Sequence, residues 1–254
     1  MFEKSRIEKG LYWDRAWSLI SGCTPCSPGC DHCWSAEMTY RFEHHDIFLP
    51  RQLTNSERQF SGRISIHPER LDIPLKRKKP TVWAIWNDLF HSDVPNEFLG
   101  QAFYIMEKCP QHVFLVLTKR AKGMADYLDG YKVVPHIWLG VTICNQPEAD
   151  EKIPRLLQIP AAVRWISIEP MLEPVDINLA LTKGIGTIQW VVCGGESGPG
   201  ARPMMPQWAL SVKDQCVAAS IPFFFKNHGS YYKLGKKTSR LLDGREWREL
   251  PEIK

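Results

Sequence analysis

No apolar run in the sequence is long enough to cross a bilayer, which excludes a helical membrane span. The opening residues, MFEKSRIEKG, carry neither the apolar core nor the small-residue cleavage site of a secretory leader. A reducing cytoplasm is therefore expected, with no membrane partner; disulfides become the weaker use for the cysteines. There is no internal repeat and no low-complexity tract, and 44% hydrophobic with 24% charged residues gives no reason to expect extensive disorder. Neither sign of charge dominates, since the formal net charge is only +4. The positive charge is uneven, however: Lys76, Arg77, Lys78 and Lys79 form one run, and Lys233, Lys236, Lys237 and Arg240 another. Charge alone supports a nucleic-acid contact and a solvated loop equally.

What is present is a series of short, β-rich apolar runs: AWSLIS (16–21), TVWAIW (81–86), VFLVLT (113–118), IWLGVT (137–142), VRWISIE (163–169), IQWVVCGG (188–195) and IPFFFK (221–226). Each reads as a strand buried on both faces. Stretches with helical spacing lie between them, at 96–109, 148–159 and 206–220. The alternation predicts an α/β fold, a partial (β/α) TIM-like barrel of about six or seven mainly parallel strands. One domain over 1–254 is expected, with a basic, Pro- and Arg-rich insertion or lid at about 43–80 and a capping tail at about 229–254.

In such architectures the site lies at the carboxyl ends of the strands, and those positions are polar here. The first run leads into a cysteine loop, the second into Asn87, Asp88 and His91, and the third into Thr118, Lys119 and Arg120. Asn145 and Gln146 follow the fourth, Glu169 ends the fifth, and Gly194, Gly195, Glu196 and Ser197 follow the sixth. Lys226, Asn227 and His228 follow the seventh. Any one of these could be a cap or a surface ion pair; seven strand ends facing one mouth are harder to explain that way.

The cysteine loop, SGCTPCSPGCDHCW (21–34), holds Cys23, Cys26, Cys30 and Cys33. Soft thiolates in a reducing compartment select zinc or an iron-sulfur cluster. All four would close a structural site, whereas three on a cubane cluster leave one iron open. Structural zinc sites commonly use two separated knuckles, and here every thiol comes from one strand-to-helix loop, which favours the open cluster.

Taken with NDLFH, LTKR, WLGVTICNQPEAD, SIEPMLEPVDI and GGESGPGARPM, the motif SGCTPCSPGCDHCWSAE resembles a phage-associated family of radical S-adenosylmethionine (SAM) proteins of largely unassigned function, over residues 17–228. The resemblance implies a partial TIM-like barrel, a [4Fe-4S] cluster on three cysteines, and SAM on the fourth iron. Cys30 and Cys33 are ligands under either spacing. The superfamily's C-x3-C-x2-C adds Cys26; the closer family's C-x6-C-x2-C adds Cys23, which we place first.

His32 then occupies the place of the aromatic residue beside the adenine. Asn87 and Asp88 stand where the superfamily commonly has a Gly-Gly-Glu segment for the SAM amino group, a departure that keeps suitable acceptors. Thr118 and Lys119 are candidates for the SAM carboxylate or the substrate, and Lys119 is equally a salt-bridge residue. Glu169 is expected to meet a cation or the ribose side of SAM, with Lys119 and Arg120 as candidates. CGGESGPG is read as offering exposed backbone N–H groups beside Glu196 and Ser197, suited to a carboxylate or phosphate, with Gly194, Gly195 and Glu196 as cofactor-binding candidates. Cys109, Cys144 and Cys216 read as ordinary thiols, with Cys193 less settled.

The implied activity is reductive cleavage of SAM with hydrogen abstraction from the substrate. A modified pyrimidine in phage DNA, or its nucleotide, is the preferred substrate class, with the basic insertion tracking phosphates and a flavodoxin- or ferredoxin-type electron donor. The rivals are a non-catalytic zinc or iron-sulfur protein that binds nucleic acid, and a non-radical SAM or nucleotide enzyme whose thiols hold zinc.

Overall fold

A computed structural model describes residues 3–45, 52–181, 187–232 and 239–252 of the chain. In chain order its elements are α1 (Lys4–Glu8), β1 (Arg15–Trp17), β2 (Ile20–Gly22), α2 (Trp34–His45), β3 (Ile64–Ile66), β4 (Val82–Ile85), α3 (Asn96–Glu107), β5 (Val113–Thr118), α4 (Ala121–Tyr127) and β6 (Ile137–Ile143). There follow α5 (Gln146–Gln158), β7 (Arg164–Ile168), α6 (Asn178–Leu181), β8 (Trp190–Cys193), α7 (Pro206–Ala219), β9 (Phe223–Phe225), β10 (Leu241–Leu242) and β11 (Arg245–Glu246). Among the described residues, seven strands form one sheet in the order β1-β4-β5-β6-β7-β8-β9, every neighbouring pair parallel. The sheet curls into a half-barrel, the partial barrel that the alternating runs predict. Among the described residues no helix is long and apolar enough to cross a membrane.

Alternation along each strand separates two cores. Ile137, Leu139, Val141 and Ile143 of β6 share a core with Phe103 of α3, Leu156 of α5 and Val212 of α7. The other face of the sheet is concave, and its lower part is plugged by Tyr12, Trp138, Trp165, Trp190 and Phe224. The Tyr12 ring meets Trp165, Trp190 and Phe224 edge-on, at centroid separations of 6.0, 5.4 and 5.6 Å. Such large rings need a gap in the backbone surface, and Gly140 supplies it, since a Cβ there would lie 2.4 Å from Cε2 of Trp165. Above the plug the concave residues turn polar: Thr142, Ser167, Glu169 and Lys226.

The first apolar run departs from expectation. AWSLIS is not one strand: β1 ends at Trp17, whose indole donates to Arg70 O at 2.8 Å. The chain then peels away, so that β2 pairs antiparallel with β3. β3 lies within the segment read as an insertion, so its described part is built into the wall beside the cysteine loop. Residues 46–51 of that segment fall outside the described residues, as do Lys233, Lys236 and Lys237 of the second basic run. The tail pairs instead with the β9 edge: Phe225 N donates to Trp247 O at 2.9 Å and Glu249 N to Phe223 O at 3.1 Å.

Gly140→Ala should force Trp165 out of its slot and lower stability by about 1–3 kcal/mol, the usual cost of overpacking a core. A chemical denaturation series should show a lower midpoint at an unchanged slope.

Candidate functional site

The cysteine loop leaves β2 through Gly22, whose φ of +85° suits glycine and whose Cβ would fall 2.1 Å from Arg63 O. Beyond it the backbone has no regular ladder, so side chains from several strand ends hold it. Arg120, after β5, donates to Thr24 O at 2.7 Å and to Asp88 Oδ2 at 2.8 Å. Gly62 N donates to Cys23 O at 3.2 Å. His91 Nδ1 accepts from Asp93 N at 3.2 Å, so its proton sits on Nε2 and is donated to Thr24 Oγ1 at 2.7 Å. Burial, then the nearby Arg120 charge, hold the His91 pKa down and keep the ring neutral. Ser27 Oγ accepts from Gly29 N at 3.1 Å, opening the short 3-10 turn Pro28–Cys30, and lies 3.7 Å from Cys144 Sγ at the end of β6.

The far end of the loop is held from β8. Arg202 donates to both oxygens of Glu196, with Nη2 to Oε1 at 2.6 Å and Nε to Oε2 at 3.0 Å. The same guanidinium reaches Pro28 O at 2.8 Å and Asp31 Oδ2 at 3.0 Å. His32 Nδ1 closes the group, 3.0 Å from Glu196 Oε2. Burial alone would push the Glu196 carboxyl up, but the hydrogen bonds from Arg202 and His32 outweigh it and hold its pKa below the ordinary value.

Under the loop is a cavity of about 620 Å³, onto which all four loop thiols open together with Lys119, Arg120, Glu169 and Lys226. Cys30 shares a hydrogen bond with Cys26, which lowers the Cys30 pKa and, together with burial, raises that of Cys26. Cys23 stands 3.7 Å from Arg120 Nη1, and burial and Asp88 raise its pKa. For Lys119, burial is outweighed by the negative charges of Cys30, Cys33 and Asp88, and its pKa rises. Among the described residues no hydrogen bond or ion pair engages Lys119 Nζ. Nor is any group of three or more His, Cys, Asp or Glu there gathered as a metal site; Cys23 is turned to Arg120 and Cys26 to Cys30. Trp13, Trp86 and Trp34 form one wall, edge to face at 5.9 and 5.2 Å.

The remaining candidate residues divide. Asp88 reaches the cavity, but its carboxylate already accepts from Phe90 N, Thr118 Oγ1, Lys119 N and Arg120. It acts as the hub that aims Arg120, and Thr118 is bound into that hub. Asn87 also lines the cavity with its amide occupied, donating to Ile20 O at 2.8 Å and accepting from Ser35 Oγ at 2.9 Å. Glu169 meets a cation as expected, but that cation is Lys226 at 2.9 Å rather than Lys119 or Arg120. Within the glycine-rich turn the N–H groups of Gly194 and Gly195 are engaged, donating to Ile168 O and Asn227 O at 3.1 and 3.0 Å. Neither glycine lines the cavity, and nor do Glu196 and His32, whose mutual contact makes them loop holders; Ser197 does line it. Cys109, Cys144, Cys193 and Cys216 are buried away from it.

Sequence reasoning missed Arg202, Tyr12 and Thr142. Tyr12 carried no motif, and Arg202 could have been suspected only as the cation following GGESGPG. The basic run at 76–79 is also differently placed. Gln111 donates to Arg77 O at 3.5 Å and His112 Nε2 lies 3.1 Å from Pro74 O, which puts the run beside the amino end of β5, away from the cysteine loop. Lys76 pairs with Asp72 at 2.6 Å and Lys79 with Glu3 at 2.7 Å, so the run is in part internally neutralised.

Fold and site together define a parallel α/β half-barrel whose carboxyl mouth is roofed by a four-thiol loop. The chain belongs to a family described as a protein of unknown function (DUF5131), whose model matches residues 4–251. No curated protein and no solved structure matches it.

Glu196→Gln tests the loop clamp. Because the folded carboxyl has a lowered pKa, the stability it contributes is present above the unfolded value and lost as pH falls through the folded one. At neutral pH the variant should unfold about 1–3 kcal/mol more easily. The gap to wild type should start to narrow near the ordinary carboxylate range, about pH 4, and go on narrowing as the pH falls further in a series of urea melts.

Proposed function

We propose that this chain is a radical SAM enzyme in which three cysteines of the roof loop hold a [4Fe-4S] cluster and the cavity beneath receives SAM and a substrate. One observation carries the reading: four thiols from a single loop open onto one cavity at the carboxyl mouth of a parallel half-barrel. The donor set fits such a cluster in kind and number, being soft thiols with the Lys119 and Arg120 cations beside them to offset thiolate charge. Cys30 and Cys33 are ligands, with Cys23 ahead of Cys26 for the third place. When bound, the cluster and SAM supply reductive cleavage of the sulfonium and hydrogen abstraction from an unactivated C–H bond. An external one-electron donor is the partner this requires.

The chain's own groups bind and orient. The Lys119 ammonium, unpaired among the described residues, suits a carboxylate at the thiol end of the cavity. Arg120, aimed by Asp88, fixes the backbone at Thr24 between the two competing thiols. The tryptophan wall and the aromatic plug keep water from the lower part of the cavity.

Anaerobically purified protein should be brown, with about four irons per chain. On addition of SAM and dithionite it should release 5′-deoxyadenosine. Cys30→Ala and Cys33→Ala should each lose both properties; full activity in either variant refutes the reading. Cys26→Ala should keep the colour and the cleavage, and Cys23→Ala should lose them. The reverse pattern moves the third ligand to Cys26, and colourless protein carrying zinc supports a closed four-thiolate site.

A further inference from the structure

The floor of the cavity, opposite the thiols, has a hydrogen-bonding pattern that neither a cluster nor the loop network uses. Thr142 is 4% exposed and lines the cavity, yet among the described residues nothing engages its hydroxyl. In the sheet register it lies directly beside Ser167. Ser167 Oγ donates to Glu169 Oε2 at 3.1 Å, and the Tyr12 hydroxyl donates to the same oxygen at 3.1 Å. Among the described residues Glu169 Oε1 accepts only from Lys226 Nζ, at 2.9 Å, and so keeps a lone pair. Lys226, partly exposed, keeps protons to donate. An acceptor and a donor thus stand side by side at the cavity wall, with a free hydroxyl near them. This is the complement of a –CO–NH– edge, whose N–H and C=O point the same way. Around the floor are flat surfaces, Trp165 below and the Trp13–Trp86–Trp34 wall at one side, against which a planar ring can lie.

We infer that this floor binds a planar heterocycle through a lactam edge, as in uracil- and thymine-type bases, with Glu169 Oε1 accepting the ring N–H, Lys226 donating to the carbonyl, and Thr142 supplying the third contact. The inference deepens the reading above by naming the substrate class, and depends on it only for what is done to the ring afterwards. A carboxylate ligand is disfavoured at this point because Glu169 faces it. A purely apolar ligand would leave the Thr142 hydroxyl without a partner and cover the Glu169–Lys226 pair without using it.

Calorimetric titration of the full chain as isolated, without reductant, tests this. Thymidine should bind, and 3-methylthymidine, which lacks the ring N–H, should bind about tenfold or more weakly, the usual penalty for a lost hydrogen bond to a charged group. Thr142→Val should weaken thymidine several-fold while leaving the fold intact by circular dichroism. Glu169→Gln should bring the two ligands within a few-fold of each other. A short oligothymidylate, titrated in parallel, shows by its own affinity whether the base is taken free or within a strand; sensitivity to N3-methylation supports the inference in either form. Equal affinity for thymidine and 3-methylthymidine, no binding of either, or complete displacement by SAM would overturn it. Iron content and 5′-deoxyadenosine release report on the cluster reading separately, so that either proposal can fail while the other stands.

Discussion

A loop without a hydrogen-bond ladder keeps its shape only if other parts of the chain supply its partners, and the site depends on that constraint. Two guanidinium groups do most of the holding. Arg120 reaches Thr24 from β5, and Arg202 reaches Pro28 and Asp31 from the β8 side. Each is itself aimed by a carboxylate of low exposure, Asp88 in one case and Glu196 in the other. Arginine suits both positions because its planar fork can grip a carboxylate and still present further N–H groups to backbone oxygens. The thiols between these two anchors are thereby held over the mouth, with only their own rotamers left to set.

The same anchors determine the electrostatics. Placing Arg120 and Lys119 beside the cysteines offsets the cost of burying thiolate charge, and Asp88 limits how far that goes by taking up part of the cation. The Cys26–Cys30 hydrogen bond lowers the pKa of Cys30 and raises that of Cys26, so the thiolate form of one is favoured at the expense of the other. A soft cation arriving in the cavity would compete for that proton, and metal affinity at the loop should therefore carry a pH dependence of its own.

Much of the fold was legible because parallel strands buried on both faces are written as uninterrupted apolar runs. VFLVLT coincides with β5 and IWLGVT with all but the last residue of β6. The first run misled because its middle, from Trp17 to Ile20, is where the chain leaves one sheet for another, and apolar residues are needed on both sides of that step. The cysteine loop was equally plain in sequence, since thiol spacing is local. Its partners were not. Tyr12 and Glu169 are 157 residues apart, and Arg202 and Pro28 are 174 apart. The glycine pair misled for a related reason: a glycine-rich turn signals accessible backbone, but the β9 neighbour and the ends of β7 had already taken those N–H groups.

A half-barrel has an open side, and the way this one is covered ties the periphery to the site. The β9 edge is protected by residues 247–249, which continue the ladder antiparallel and remove a template for pairing with other chains. The inner gap is filled by Tyr12, which precedes β1 yet packs on Phe224 of β9, so one ring spans the two edge strands from within. A phenylalanine would fill that space equally well. The hydroxyl adds a buried hydrogen bond to Glu169, which also carries Ser167 and Lys226. Fixing Glu169 from three sides leaves one direction for its remaining lone pair. The residue that closes the barrel therefore also sets the direction in which the cavity floor accepts a proton donor.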